Sequence, residues 1–273
     1  MSEILPPPHP ATPKLAWVVL GLALSQPVVA LLPVIGIGHP VGAMSAASLT
    51  AVTPASYAFT IWTPIFVLSL IWAIRQAMPS MAQDPVTMRL RPPLALAFAM
   101  NSLWMLVAQF SSNGIHLVLI LAVGVGAAFW AFVPEARRLP DGGFSRWVLR
   151  PFLGLFAGWV TAAVFVNLAG AFKVAGVDPD PWLSAIIILL IGAVAALMLR
   201  TGRGDPWYLL AAGWGLTAVL LANLGLAAVG APATAGFAPA LRFELVPAIA
   251  ATLALVGVVA VGFGIWRKGG MTA

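Results

Sequence analysis

The sequence predicts an all-α protein, a polytopic transmembrane helix bundle of about eight spans, and three observations carry that prediction. Hydrophobic residues make up 61% of the 273 and charged residues only 8%, against roughly one quarter charged in soluble domains. Apolar runs of about 20 residues recur along the whole chain, each long enough as a helix to cross about 30 Å of hydrocarbon. These runs are apolar on every side, whereas barrel strands alternate over about ten residues, so the spans are helices.

In order, spans are expected near 15–35, 57–78, 93–110, 116–134, 151–171, 182–199, 207–228 and 245–266. The positive-inside rule tests that count, because one span more or fewer flips every later loop. With both termini and alternate loops on one side, all but Lys173 and Arg242 of the 14 basic residues fall together. That sorting puts the N- and C-termini in the cytoplasm. Residues 1–14, MSEILPPPHPATPK, are expected to be an extended, poorly ordered tail. They lack the basic n-region and short apolar core of a secretory signal, so the first span is expected to stay as an anchor.

The net charge of +6 lies in short turns between spans, with no basic stripe on a folded domain. Nucleic acid is therefore not an expected partner, and anionic membrane lipids are. The absence of cysteine excludes disulfides, thiolate chemistry and iron–sulfur ligation.

One connection is unusual. Residues 36–56, GIGHPVGAMSAASLTAVTPAS, carry no charge at all, and structureless loops beyond about 12 to 15 residues are uncommon unless they do a job. The segment reads as a lid containing His39, Pro40 and Pro54, or as a flexible outer loop rich in small residues. Within the spans, Gly154 and Gly158 in GxxxG spacing mark a tight packing face. Gly213, Gly215, Gly257, Gly262 and Gly264 suggest others. The spacing leaves open whether such faces meet inside one chain or between the copies of a homodimer.

Polar side chains inside spans are few, and each must find a partner because lipid offers none. Asn101 and Trp104 share a face of the third span, and Trp159 and Asn167 lie two turns apart on the fifth. Together they would suit a cavity for a planar apolar molecule, the indoles as slabs and the carboxamides as hydrogen-bonding groups. The competing reading is that both Asn side chains bond neighbouring helices. Phe59, Trp62 and Phe66 recur along one side of the second span, a pattern that more often serves packing. Tyr57, Trp72, Trp17, Trp147, Trp182, Trp207 and Trp266 read as interfacial belt residues. That leaves Trp62, Trp104, Trp130, Trp159 and Trp214 to face an interior.

Enzymatic equipment is sparse. No acidic residue sits at the middle of a span, and the sequence contains no HExxH, GxSxG or Walker pattern. His9, His39 and His116 are scattered, so neither a catalytic set nor a metal site is expected, although His39 could ligate a haem iron from the lid. The protein is not expected to be an enzyme.

These aromatic and Asn positions resemble the TspO/MBR family of tryptophan-rich sensory and translocator proteins. The resemblance rests on the long first loop, TPASYAFTIWTPIF entering the second span, NSLW in the third and GWVTAAVFVNL in the fifth. It covers residues 15–175, a five-helix membrane domain, and leaves 176–273 as a three-helix extension of the bacterial form. It implies a bacterial inner-membrane protein with a pocket beneath residues 36–56, lined by Phe59, Trp62, Phe66, Asn101, Trp104, Trp159 and Asn167. It further implies a planar hydrophobic ligand of the porphyrin or haem type, with no cofactor required. Three departures withhold finer specificity: Phe59 to Trp62 is one residue shorter than usual, Tyr57 stands where Trp is common, and Phe66 replaces a frequent Tyr. Two other roles are open. Pro27, Pro33 and Pro64 would suit a gated transporter, though no ionisable group sits at a midplane. The exposed aromatics would suit a structural or assembly subunit of a pigment-containing membrane complex.

Overall fold

Twelve successive residues of one helix, Pro151 to Ala162, are buried, and the rest of the chain is arranged around that helix. The computed structural model describes residues 13–139, 142–229 and 241–270; the expected N-terminal tail lies almost wholly outside them. The α-helices run α1 Pro13–Leu31, α2 Val41–Ala47, α3 Trp62–Gln76, α4 Pro85–Ala108, α5 Ile115–Arg138, α6 Arg150–Val174, α7 Pro181–Thr201, α8 Pro206–Asn223 and α9 Leu245–Gly270. Among the described residues, seven segments are long and apolar enough to cross a membrane, the helical stretches around α1, α3, α4, α5, α6, α7 and α9. The eighth expected span is α8. Its 18 residues carry Trp207 and Tyr208 near one end and Asn223 at the other, and it is not among the seven.

Three helices start the same way. Asp84, Asp180 and Asp205 each precede a proline, and their carboxylates accept backbone N–H bonds from Thr87 (2.7 Å), Leu183 (2.7 Å) and Tyr208 (2.9 Å). The aspartate satisfies an orphan N–H and the proline, at the first helical position, lacks one. This moves the start of α4 from the expected 93 back to Pro85, since Pro92 and Pro93 lie inside it. The helix tolerates them at the cost of two ladder bonds.

The glycine spacing on α6 is explained by α8. A Cβ on Gly154 would stand 2.7 Å from the Cβ of Trp207, and one on Gly158 would stand 2.8 Å from the Cβ of Ala211. Both glycines are needed for two backbones to come that close, and the contact is made within one chain. Gly192 gives α9 the same access to α7, at 2.7 Å from Ala254. Helices α7 to α9 therefore share one continuous core with α3 to α6.

The halves of the bundle differ. Towards the end where α3 finishes, Trp72, Phe98, Phe152 and Phe156 pack ring on ring at centroid distances of 5.9 to 6.5 Å. Trp72, expected at the interface, is only 2% exposed, because it is the centre of this cluster. Trp130, expected to face an interior, is 57% exposed, on the outward face of α5. Trp17, Trp147, Trp182 and Trp266 are exposed, as belt residues would be, whereas Trp207 is half-buried.

Candidate functional site

The uncharged segment 36–56 is folded, and its second half is buried. A 3-10 turn, Leu32–Ile35, ends in a left-handed glycine, and Gly38 follows at φ +73°. A Cβ there would lie 3.0 Å from that of Gln109, so both backbone and space call for glycine. The His39 N–H then donates to the Gln109 carbonyl at 3.0 Å, pinning the segment to the end of α4, and Pro40 opens α2. Beyond α2 the chain turns inward: Thr50, Ala51, Val52, Thr53, Pro54 and Ala55 are all buried.

A buried non-helical segment must find partners for its backbone groups, and here they come from α6, α8 and the stretch before α9. The Arg242 guanidinium donates to the carbonyls of Thr50, Ala51 (3.1 Å) and Thr53 (2.6 Å). Asn223 of α8 donates to the Ala51 carbonyl at 2.9 Å, and Lys173 of α6 donates to the Leu49 carbonyl at 2.8 Å. From the turn before α5, the Asn113 amide donates to the Ser48 hydroxyl at 3.1 Å. In return, the Ala55 N–H donates to the Ala218 carbonyl of α8 at 3.1 Å. Burial pushes the Arg242 guanidinium down from its ordinary value to about 10, so it stays charged at neutral pH. Lys173 and Arg242, the two cations that sequence sorting set apart from the rest, both fasten this segment.

Beneath it lies a hollow in two parts. The outer cavity, about 680 Å³, is walled by the end of α1, the segment itself, α3 and α4. Phe59, Trp62, Phe66, Trp104, Pro40 and Pro54 all line it. An inner chamber of about 50 Å³ adjoins it, sharing Phe59, Trp62, Trp104 and Pro54 and adding Trp159 and Asn167. Trp62 stacks on Phe66 at 5.2 Å and meets Trp159 edge-on at 6.4 Å. Phe59 also meets Trp159 edge-on, at 5.8 Å. The Trp104 indole N–H donates to the Asn167 Oδ1 at 3.1 Å, while Asn167 donates to the Ala163 carbonyl at 2.9 Å.

Six of the seven expected lining residues thus converge. Asn101 does not: its amide donates to the Gln26 Oε1 of α1 at 2.8 Å, and it lines neither cavity. It is the helix-to-helix bond that was the alternative for such a residue. His39 is exposed and lines neither cavity, so the imidazole is not poised over a ligand in the hollow. Sequence reasoning missed Asn113, in the turn before α5, and the contribution of α7 and α8 through Ile191, Gly215, Leu216 and Val219. Gly215 was visible only as a packing glycine.

The residues lining the two cavities include no charged side chain. Among the described residues no cluster of His, Asp or Glu is arranged to hold a metal. What the arrangement offers is aromatic surface and a few neutral hydrogen-bonding groups, the usual makeup of a small-molecule site. A family model described as TSPO-like protein matches residues 16–263, which takes in α7, α8 and most of α9. No curated protein and no solved structure matches the chain.

Proposed function

The chain belongs to the TSPO-like protein family, and from that premise we propose that it is a non-enzymatic ligand-binding membrane protein with a sensory role, holding a planar hydrophobic molecule of tetrapyrrole type in the outer cavity. The observation that carries this reading is the convergence of Phe59, Trp62, Phe66 and Trp104 on one cavity of about 680 Å³, within the range of ordinary small-molecule sites, roughly 300–1,000 Å³. Affinity would come from buried aromatic surface, at about 25 cal/mol per Å² before ordering costs.

The reading assigns a job to each part of the chain. Residues 15–175 form the binding unit, with 36–56 as its lid, and 176–273 form an extension that ties the lid down through Asn223 and Arg242. The lid end faces outward from a bacterial inner membrane, with both termini in the cytoplasm. A porphyrin's carboxylates would stay at the mouth, because the walls supply no cation and Lys173 and Arg242 are bound to lid carbonyls. With His39 outside the hollow, a haem would be held by its rings and not through a lid imidazole.

Titration of the detergent-purified protein with protoporphyrin, read by tryptophan quenching, tests the proposal. Wild type should quench saturably, and Trp104→Ala and Trp62→Ala should weaken binding about tenfold or more, the scale of one lost aromatic contact plus its buried area. Equal quenching in wild type and both variants removes the outer cavity as the site.

A further inference from the structure

The two halves of the lid are held differently. Residues 48–55 receive hydrogen bonds from Arg242, Asn223, Lys173 and Asn113, whereas α2 rests on the bundle through Met44, which packs with Trp104, Leu117 and Leu121. Only one residue of α2 carries a hydroxyl, Ser45. Hydroxyls on helices commonly turn back to a carbonyl three or four residues earlier, as those of Ser25, Ser69, Thr161 and Thr252 do. The Ser45 hydroxyl does not. It has no hydrogen-bond partner among the described residues, and the residue is half-buried, its oxygen not sealed from contact.

Ser45 stands on the face of α2 that is turned to the hollow. It lines both the outer cavity and the inner chamber, as does Val41, and residues four apart share one face of a helix. Serine's oxygen is one bond from its Cβ, so the hydroxyl lies at that face. The Trp104 N–H, from a residue that also lines both spaces, is taken by Asn167. A hydroxyl can donate one hydrogen bond and accept others. No charged side chain lines either space, and a charged ligand group there would stand unpaired in apolar surroundings. A neutral hydroxyl or carbonyl is the group that fits.

We propose that Ser45 is a specificity-determining contact: its hydroxyl bonds a neutral oxygen on the edge of a ring system seated among Trp62, Phe66 and Trp104, and that bond fastens α2 to the ligand. This rests on the reading of the outer cavity as the ligand site and adds which ligands it prefers. The ligand thereby gives α2 the polar tie that residues 48–55 obtain from the protein itself. That half of the lid settles over a ligand of the right chemistry.

Two probes of nearly one shape provide the test, 1-pyrenemethanol and 1-ethylpyrene, which differ by a hydroxyl in place of a methyl. Binding to protein in nanodiscs is read by energy transfer from tryptophan to pyrene. The affinity of the alcohol relative to ethylpyrene should fall about two- to tenfold in Ser45→Ala, the scale of one net hydrogen bond. Comparing that ratio between wild type and variant cancels each probe's partition into lipid. Ethylpyrene itself should bind both proteins alike, and the variant should fold, because alanine favours a helix and the lost hydroxyl had no partner in the protein. In wild type, at equal occupancy, the alcohol should also slow amide exchange over residues 41–47 more than ethylpyrene does. A third probe, 1-pyrenecarboxylate, should not respond to the substitution. An unchanged ratio while both neutral probes bind overturns the Ser45 contact and leaves the outer cavity standing. Failure of all three probes to bind wild type overturns both. A fallen ratio with equal protection of residues 41–47 overturns the fastening of α2, and a carboxylate that weakens with the alcohol overturns the restriction to neutral groups.

Discussion

Helices α3, α4 and α6 each contribute aromatics to two regions, and the regions are built oppositely. In one, Trp72, Phe98, Phe152 and Phe156 fill the space between the helices, all four at most 2% exposed. In the other, Trp62, Phe66, Trp104 and Trp159 surround a hollow. Residue type does not separate them, since the same helices with the same kinds of rings make a solid in one place and a void in the other. What differs is the neighbour. Beside the solid region the chain is helical and brings its own bonded backbone, whereas the hollow is roofed by the short helix α2 and the non-helical stretch after it, whose carbonyls are bonded by Arg242, Asn223 and Lys173.

Truncating one ring in each region tests the contrast most directly. Phe152→Ala, at 0% exposure, should cost about 3–5 kcal/mol, the usual range for emptying a filled aromatic site. Phe66→Ala, which enlarges a space that is already open, should cost about 1 kcal/mol, no more than an average substitution. SDS unfolding of the purified protein, followed by far-UV signal, measures both. Similar losses in the two variants would mean that the hollow collapses around a missing ring, and the two regions would then not be different in kind.

Arg242→Met probes the same contrast at the roof. The variant removes bonds to three buried carbonyls, and hydrogen bonds from a charged donor are worth about 1.5–3 kcal/mol. Local opening of the lid should become easier by about 2 kcal/mol, a roughly 30-fold faster amide exchange over residues 48–55. The amides of α6 should exchange as before. Acceleration throughout the bundle would instead make Arg242 a general support of the fold.

The sequence made the bundle legible because apolar length and the sorting of Lys and Arg are coarse signals that survive without neighbours. It also named most of the cavity: Phe59, Trp62, Phe66, Trp104, Trp159 and Asn167 do converge. It could not separate Asn101 from Asn167, because each is one carboxamide on an apolar helix and the difference is whether Gln26 or Trp104 stands opposite. Trp72 and Trp130 exchanged roles for a similar reason. Position along a span suggests belt or interior, but rotation about the helix axis decides, and that is set by partners distant in sequence. The hold of Arg242 on the lid lay deeper still, joining residues 189 positions apart with no local pattern to announce it.

The mildest consequence concerns pH, and it separates the roof from a titrating gate. Arg242 has its pKa lowered by burial from the ordinary guanidinium value to about 10, with Glu244 acting in the opposite direction. A base whose folded pKa is depressed binds its proton less tightly when folded. The resulting cost to stability is constant at every pH below about 10 and fades as pH rises from there toward the ordinary guanidinium value. Between about pH 6 and 9 the guanidinium is charged in both states, so its hold on Thr50, Ala51 and Thr53 does not change. Exchange over residues 48–55, corrected for intrinsic base catalysis, should therefore be flat across that interval. His39, the histidine in the lid, is exposed, and its backbone N–H is what ties it to Gln109, so His39→Ala should leave the segment in place. A step within that interval would show that the lid answers to a titrating group other than Arg242, and the solid and hollow regions would then differ in responsiveness as well as in packing.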